Sequence, residues 1–254
     1  MKVAVIGGTG LVGRYATQAL RRTGHDAVVV ARSTGADVTT GAGLDAALAG
    51  VEAVIDVTNT PAQDAAVAQE FFATSTGHLL AAEQRAGVTH HVVLSIVGVD
   101  RIEGHPHLAG KRRQEELALA GPIPVTVVRA TQFHEFAAMV VGWTRDGDVA
   151  TVPPLLVQPV AASDVGQILA EVAIRTPPHG GTPELAGPET QDLVDMARRT
   201  LAARGELIRL VPSWRVAPFS VEMAGEILLP GPRARLAPTT FDTWLTTQAA
   251  SRPE

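Results

Sequence analysis

Residues 2–13, Lys2-Val-Ala-Val-Ile-Gly-Gly-Thr-Gly-Leu-Val-Gly13, decide the fold of this chain. Residues 3–6 are a short, mostly β-branched apolar run that is typical of a buried strand, and an amphipathic helical pattern begins at Leu11. Three glycines, each three residues from the next, lie between strand and helix. The segment therefore predicts a strand, a glycine turn and a helix, in that order.

Each of these glycines has a distinct task in a dinucleotide-binding loop. Gly7 permits the tight turn, Gly10 lets backbone N–H groups approach a pyrophosphate at the helix N-terminus, and Gly13 lets helix and strand pack closely. A glycine turn without a ligand is the alternative, but the strand and helix around it favour dinucleotide binding. The loop residues predicted to bind the cofactor are Gly7, Gly8, Thr9, Gly10, Leu11, Val12 and Gly13.

Further strands and helices alternate along the chain. Apolar runs without alternation recur at residues 27–31, 51–57, 92–97 and 125–128. Alanine-rich helical stretches lie between them, at residues 43–49, 62–86 and 111–120. Such strands are expected where helices cover both faces of a parallel sheet. The pattern predicts an α/β fold, a doubly wound parallel sheet of the Rossmann type, whose ligands bind beyond the carboxyl ends of the strands.

The pattern changes after about residue 142, where prolines break the chain into short pieces around helical stretches such as residues 163–175. A smaller, substrate-side lobe is the simplest use for such a segment. We therefore expect one NAD(P)-binding, Rossmann-type domain over residues 1–254, with a core of about residues 1–142 and a small C-terminal lobe of about residues 143–254.

The composition excludes several classes of protein. The chain has 254 residues, a formal net charge of -5 and no cysteine. The acidic balance argues against a protein that coats nucleic acid, and the three tryptophans are too scattered to form a base-stacking platform. The apolar run at residues 3–6 is far too short for a signal peptide or a membrane span. We expect a cytoplasmic protein that binds a small-molecule substrate and neither nucleic acid nor membrane; the sequence does not indicate its oligomeric state.

Metal chemistry is not expected either. The absence of cysteine excludes thiolate ligands and thiol nucleophiles. The histidine pairs His90-His91 and His105 with His107 lack a carboxylate cluster at ligand spacing, so no metal site is predicted.

Two positions beyond strand ends bear on the nicotinamide cofactor. Sites that prefer NAD(H) usually have a carboxylate after the second strand, whereas this chain has Arg32 there. Arginine pairs bidentately with a 2′-phosphate, so NADP(H) is preferred over NAD(H); a solvated surface arginine is the alternative. Asn59 follows the third long strand, where the carboxyl edge of the sheet brings it toward the cofactor. A plain turn before Pro61 is the alternative there.

The motifs together resemble the atypical short-chain dehydrogenases/reductases, in the branch described as NmrA-like or NAD(P)H-binding. The resemblance rests on the glycine loop, Arg32 and the segments at residues 54–59, 94–100, 111–115, 129–136 and 158–164. Taken singly, only the glycine loop is specific; the order and spacing of all these segments make the resemblance strong. The resemblance extends over nearly the whole chain, and it implies a Rossmann fold that binds NAD(P)(H).

The resemblance also implies catalytic roles. A serine that matches Ser95 hydrogen-bonds the reacting oxygen. A lysine that matches Lys111 holds the nicotinamide ribose and lowers the pKa of a tyrosine four residues before it. In this chain that tyrosine position is His107, and the one tyrosine, Tyr15, lies in the first predicted helix. The predicted catalytic residues are therefore Ser95, His107 and Lys111.

Two of these assignments have alternatives. His107 either donates a proton at neutral pH, since imidazole has a pKa near ~6.5, or is a loop residue beside Pro106. Lys111 either contacts the cofactor or is a helix-surface lysine paired with Glu115 at i+4.

The sequence leaves three functions open. The first is an NADP(H)-dependent oxidoreductase that acts on a small carbonyl or quinone-like acceptor. The second is a non-enzymatic NADP(H)-binding redox sensor, a role found among NmrA-like proteins. The third is a nucleotide-sugar epimerase or dehydratase, which normally relies on the absent tyrosine.

Overall fold

The structure is a computed structural model that describes residues 1–176, 178 and 180–250, with side chains through residue 247. In chain order its strands and helices are β1 (Lys2–Ile6), α1 (Leu11–Arg22), β2 (Asp26–Val30), α2 (Leu44–Ala47), β3 (Ala53–Asp56), α3 (Ala65–Ala86), β4 (His90–Ile96), α4 (Pro106–Ala120), β5 (Val125–Ala130), α5 (Phe136–Thr144), β6 (Arg145–Asp146), β7 (Val149–Val152), β8 (Leu156–Val157), α6 (Ala162–Ala173), β9 (Glu184–Ala186), β10 (Gln191–Asp192), α7 (Leu193–Arg204), β11 (Arg209–Pro212), β12 (Arg235–Leu236) and α8 (Phe241–Ala250). No helix among these residues is long and apolar enough to cross a bilayer.

The chain forms two compact units that interleave along the sequence. The first unit contains Met1–Ala130 and Ala162–Pro183, and the second contains Thr131–Ala161 and Glu184–Glu254. The boundary differs from the expected change at residue 142, because α6 returns to the first unit. There α6 packs so closely on α1 that a Cβ at Gly166 would lie 2.5 Å from the Cβ of Tyr15.

The first unit is built on five parallel strands in the order β5-β4-β3-β1-β2. The residues of β1 from Val3 to Ile6 are buried, as expected for a strand with helices on both faces. On β4, Val93 packs against Ala118 of α4, while His90, of the opposite parity, lies near Ala173 of α6. Helices therefore cover both faces, which confirms the predicted doubly wound α/β fold.

The strand order places a topological switch point between β1 and β3. The chain leaves β1 toward β2 on one side and continues from β3 to β4 and β5 on the other. In open α/β sheets, ligands bind in the crevice outside the carboxyl ends of the strands at this point. The segments that border the crevice follow Ile6 at the end of β1 and Asp56 at the end of β3, two residues that pair directly.

Helix α4 begins earlier than its sequence pattern indicated. A helix was expected from Lys111, but α4 starts at Pro106. Proline is favoured at the first helical position, where its missing N–H is not needed and its φ suits the helix. His107 therefore lies in the first turn of a helix, and its interpretation as a loop residue is wrong.

The second unit has small sheets and three helices among its described residues. Its strands pair as β11-β7-β6, with β11 parallel and β6 antiparallel to β7, as antiparallel β8 and β10, and as parallel β9 and β12. Helix α7 packs on α5 and α8. Phe241 and Trp244 of α8 stack with ring centroids 5.5 Å apart.

Candidate functional site

The glycine turn after β1 is backbone packed against backbone. Gly7 has a positive φ of 78°, and a Cβ there would lie 3.1 Å from the carbonyl oxygen of Val57. A Cβ at Gly13 would lie 2.6 Å from the Cα of Gly8, so α1 packs directly on the turn. Because these approaches leave no room for side chains, the glycines are required by the local geometry.

The turn places the N-terminus of α1, which has no side-chain cap, at the carboxyl edge of the sheet. Gly10 is the N-cap of α1 and offers no side-chain hydrogen bond, and the first turn of α1 contains no acidic residue. The first N–H groups of a helix have no intrahelical acceptor, and the helix dipole favours an anion beside them. The segment therefore fits a pyrophosphate on chemical grounds.

Arg32 begins a short 3₁₀ turn directly after β2. Its guanidinium is exposed and makes no hydrogen bond or ion pair within the described part of the chain. Nearby Asp37 accepts hydrogen bonds from the hydroxyl and backbone N–H of Thr39, and these bonds, with a smaller attraction to Arg32, lower the pKa of the Asp37 carboxyl. The Asp37 carboxylate is thus used within its own turn, while Arg32 is available to a ligand.

A buried polar cluster lies beyond β3, on the side of the sheet that α4 covers. Lys111 Nζ donates to the carbonyl oxygens of Thr58 (3.1 Å) and Leu94 (3.0 Å) and to Oε1 of Gln114 (2.8 Å). Gln114 Nε2 in turn donates to Oδ2 of Asp56 (2.8 Å) and to the Thr58 hydroxyl (3.2 Å). We call Asp56, Lys111 and Gln114, the three side chains around Thr58, the Thr58 clamp.

The ammonium of Lys111 has three N–H donors, and all three are used within the clamp and β4. The side chain is 5% exposed, and burial lowers the pKa of Lys111 to about 8 against the opposing attraction of Asp56 and Glu115. The helix-surface interpretation of Lys111 is therefore wrong. Glu115 instead pairs bidentately with Arg129, at 3.0 and 2.7 Å.

His107 lies in the first turn of α4, with its ring centroid 6.2 Å from that of Phe72 on α3. Burial, with repulsion from Lys111 and His105, lowers the pKa of His107 to about 4. The imidazole is therefore neutral at neutral pH, where it accepts a proton far more readily than it supplies one.

Ser95 lies near the carboxyl end of β4 and is buried, with 2% of its surface exposed. Because Asp56 pairs with Val93 and side chains alternate along a strand, Ser95 faces the same side of the sheet as Asp56. Within the part of the chain that the structure describes, its hydroxyl has no hydrogen-bond partner. A buried hydroxyl without a partner is costly, so this oxygen is a candidate for a ligand contact.

Asn59 directly follows the clamped Thr58 and is exposed. Its Oδ1 accepts a hydrogen bond from the backbone N–H of Thr60 at 2.9 Å. The side-chain oxygen of Asn59 therefore stabilises its own turn. The side chain is exposed, so its amide nitrogen is accessible to a ligand.

The neighbouring His90 and His91 lie in the core of the first unit. His91 Nδ1 contacts Glu83 at 2.8 and 3.1 Å, and both side chains are fully buried. Burial favours the neutral imidazole, but the Glu83 carboxylate outweighs it and raises the pKa of His91. His90 Nε2 lies 3.0 Å from the Thr126 hydroxyl. Over the residues that can be described, no three His, Asp or Glu side chains are grouped to hold a metal ion.

The clamp brings in three residues that the sequence interpretation did not single out, Asp56, Thr58 and Gln114. Two signals were present. Asp56 is a carboxylate at the end of an otherwise apolar strand, and Gln114 lies at i+3 from Lys111, which places both on one face of α4. The contact between α4 and the segment after β3, 53 residues apart for Lys111 and Thr58, is a tertiary feature.

Comparisons with known proteins agree with this architecture. Residues 3–126 match the NAD dependent epimerase/dehydratase family. The (4-alkanoyl-5-oxo-2,5-dihydrofuran-3-yl)methyl phosphate reductase of Streptomyces griseus subsp. griseus is 31% identical over 144 residues, which are 52% of this chain and 48% of the relative. The chain thus spans about half the length of that curated relative.

Two solved structures share the fold at low sequence identity. MoeE5 in complex with UDP-glucose and NAD has a TM-score of 0.71 at 18% identity, over 99% of this chain and 100% of that one. The NADPH-dependent quinone oxidoreductase QOR2 of Escherichia coli, complexed with NADPH, has a TM-score of 0.67 at 20% identity, over 83% of this chain and 78% of that one.

Proposed function

We propose that the chain is a short-chain dehydrogenase/reductase-like protein, as the resemblance in its sequence implies, and that it acts as an NADP(H)-dependent reductase of a small carbonyl or quinone-like acceptor. Quinone-like acceptors fit its residues best. The observation that carries the proposal is the residue at position 107, where the resemblance implies a tyrosine as proton donor: it is a histidine in the first turn of α4 that packs on Phe72, and these surroundings lower its pKa to about 4.

The glycine turn and Arg32 would hold the cofactor. The N–H groups at the start of α1 receive the pyrophosphate, and the glycines admit its close approach. The exposed Arg32 pairs with a 2′-phosphate, which supports NADP(H) over NAD(H). Asn59, at the other border of the crevice, would contact the middle of the cofactor in this proposal.

The chemistry at position 107 restricts the acceptor. A bound nicotinamide would supply a hydride, that is two electrons with one proton, and the reduced acceptor would take a second proton from water, which leaves hydroxide. Hydride transfer to a simple ketone gives an alkoxide that is too unstable to form without a good acid beside it, whereas transfer to a quinone gives a phenolate that is stable enough to form before water protonates it. His107 is neutral, and Tyr15 packs on α6, so neither replaces the usual tyrosine.

Ser95 polarises the acceptor in this proposal. Its buried hydroxyl lacks a partner and lies near the carboxyl end of β4, so it can donate a hydrogen bond to the reacting oxygen as negative charge develops there. The names of two similar proteins support a reductase: one is a reductase of a dihydrofuran phosphate, and the other is a quinone oxidoreductase.

The second candidate is a non-enzymatic NADP(H)-binding sensor. The same neutral His107 and the fully used donors of Lys111 favour it, because a protein that never turns over needs no proton donor. The match of residues 3–126 keeps a nucleotide-sugar epimerase or dehydratase as a third candidate, although removal of a proton from a sugar hydroxyl normally needs the missing tyrosine.

Turnover with matched acceptors tests these functions. We expect NADPH absorbance to fall when para-benzoquinone is added and to stay constant with cyclohexanone or UDP-glucose. A Ser95→Ala variant should keep its NADPH affinity and lose turnover. Tight NADPH binding without oxidation by any acceptor would favour the sensor, and interconversion of UDP-sugars would favour the epimerase. Failure to bind either cofactor would contradict all three.

A further inference from the structure

Every polar atom of Thr58 is held by the Thr58 clamp. Its backbone N–H donates to Oδ1 of Asp56 at 2.9 Å, its carbonyl oxygen accepts from Lys111, and its hydroxyl accepts from Gln114. Asp56 and Gln114 are almost completely buried. A buried, fully satisfied network fixes its members in one arrangement, so Thr58 has one defined position.

The Gln114 amide can take only one orientation in this network. Its oxygen faces the Lys111 ammonium, which only donates, and its nitrogen faces the Asp56 carboxylate, which only accepts. A flipped amide would oppose donor to donor and acceptor to acceptor. Gln114 therefore links a buried cation to a buried anion that make no direct ion pair with each other.

Lys111 also completes the hydrogen bonding of β4. Strand β3 ends at Asp56, opposite Val93, and the next carbonyl along β4, that of Leu94, accepts from Lys111. The ammonium thus takes the place of the backbone donor that β3 would supply to Leu94 if the strand continued. Its position ties the end of β4 to the segment that follows β3.

The clamped segment forms one border of the crevice at the switch point. A Cβ at Gly7 would lie 3.1 Å from the carbonyl oxygen of Val57 and 3.5 Å from the backbone nitrogen of Thr58. The backbone N–H of Val57 also donates to the carbonyl of Ile6 at 3.0 Å. A displacement of Thr58 would therefore move the surface against which the glycine turn is packed.

We propose that Asp56, Gln114 and Lys111 are positioning residues that hold residues 57–59 against the glycine turn, so that Lys111 serves cofactor binding through Thr58 and without contact to the ribose. The inference rests on the proposed cofactor site. It differs from the role that the resemblance implied for Lys111, because the three donors that such contact needs are already used.

The charge of Lys111 makes the proposal sensitive to pH. The charged and titratable groups that face it are Asp56 of β3 and Glu115 and His107 of α4, while Phe72 of α3 covers the ammonium at 4.8 Å. Above its pKa of about 8 the amine donates two hydrogen bonds in place of three. Cofactor affinity should therefore decline as the pH rises through about 8, and Lys111→Met should remove this pH dependence.

An exchange of groups within the clamp tests the proposal. Asp56→Asn sets the new amide nitrogen against a donor in either orientation, the Gln114 amide nitrogen or the Thr58 backbone N–H, and Gln114→Glu places two carboxylates side by side. The double variant Asp56→Asn/Gln114→Glu restores every partner: Asn donates to the new carboxylate, which accepts from Lys111 and from the Thr58 hydroxyl. Asp45→Asn, which removes an exposed carboxylate of the same unit, is the control.

Two measurements are made on each variant: amide hydrogen exchange, which reports on the clamped segment, and cofactor affinity. Each single variant should speed amide hydrogen exchange in peptides that cover residues 4–14 and 54–62, and weaken NADPH and NADH alike by about 10-fold. The double variant should restore both exchange and affinity. Equal loss for the two cofactors is expected because the clamp supports the turn that binds their shared pyrophosphate.

The outcomes separate the clamp from the cofactor site. Single variants with wild-type exchange and affinity would overturn the proposal, as would a double variant no better than the singles. An alkaline decline in affinity that persists in Lys111→Met would also contradict it. If the wild type binds neither cofactor, the proposed function fails, and the exchange measurements still decide whether the clamp holds residues 57–59 against the turn.

Discussion

The two borders of the crevice at the switch point are built in opposite ways. The glycine turn after β1 presents backbone N–H groups at an uncapped helix end, with Gly10 offering no side-chain partner. The segment after β3 has every polar atom of Thr58 bound by buried side chains. One border is open to a ligand and the other is closed on itself.

The difference teaches that a lysine at a motif position need not make the contact that the motif implies, here the contact with the nicotinamide ribose. The shape of the glycine turn depends on backbone geometry that the glycines themselves permit. The action of Lys111 depends on which acceptors surround its ammonium, and these come from the segment after β3, from β4 and from α4. In the proposed site, the open border would bind the cofactor through its N–H groups, and the closed border would support it as a rigid surface.

The largest effect should follow from closing the open border. Gly13→Ala places a methyl group 2.6 Å from the Cα of Gly8, so α1 must move away from the turn. We expect cofactor affinity to fall by about 100-fold or more, since a displacement of ~1 Å has effects of that size. Calorimetric titration with NADPH measures it.

Gly77→Ala is the matched control, because a Cβ there meets nothing within 4 Å on α3. It should raise the free energy of unfolding by about 0.5–1 kcal/mol and leave NADPH affinity unchanged. A Gly13→Ala variant that binds NADPH as the wild type does would remove the turn from the site.

The second effect concerns the closed border. Lys111→Met leaves Asp56 buried without its cation and two carbonyls without a donor, so we expect a loss of about 3–5 kcal/mol in the free energy of unfolding. Urea denaturation measures it. Lys2→Met changes the other lysine of the chain, which is half-buried with its ammonium bonded to the Ala49 carbonyl at the surface, and should stay within about 0.5 kcal/mol. Wild-type stability with lost NADPH affinity would instead indicate direct contact with the ribose.

The third effect is a pH dependence of stability at the start of α4. The pKa of His107 is lowered from 6.5 to about 4, so between these values the unfolded chain binds more protons than the folded one. The contribution is present above pH 6.5 and is lost as the pH falls to about 4, by up to about 3 kcal/mol.

Replacing the titrating group should weaken this dependence. The free energy of unfolding is measured for wild type and His107→Phe at about pH 7 and about pH 4.5. Between the two pH values it should fall less in the variant than in the wild type. His25→Phe, outside α4, is the control. An identical pH slope in wild type and His107→Phe would mean that His107 is not held neutral by its surroundings.

The smallest effect should separate the two cofactors. Arg32→Ala removes the group proposed to pair with the 2′-phosphate, so NADPH affinity should fall by about 10-fold while NADH affinity stays within about 2-fold. Paired fluorescence titrations measure the ratio. Equal weakening of both cofactors would contradict the role of Arg32. The clamp variants should leave this ratio unchanged, which keeps the two borders distinguishable.

Local signals predicted much of the fold. The glycines at 7, 10 and 13 fixed the strand, turn and helix, and runs of β-branched residues located the parallel strands. The start of α4 was misplaced because the propensity pattern begins at Lys111, whereas Pro106 makes an earlier start favourable. The return of α6 to the first unit depends on packing against Tyr15, which no local pattern reports.

The candidate site was predictable where backbone decides it and less so where side chains converge. Gly7 and Arg32 lie where their neighbours in sequence place them. Lys111 was singled out from the sequence, but its partners Thr58 and Leu94 come from the segment after β3 and from β4. Only the fold shows that its ammonium is already satisfied.

The central claim is that the open border at the glycine turn binds a nicotinamide dinucleotide, with the 2′-phosphate at Arg32. Titration of the wild-type protein with NADPH and NADH at neutral pH tests it most directly. We predict saturable binding of both, with a micromolar Kd for NADPH that is lower than the Kd for NADH. Absence of saturable binding by either cofactor would contradict the account.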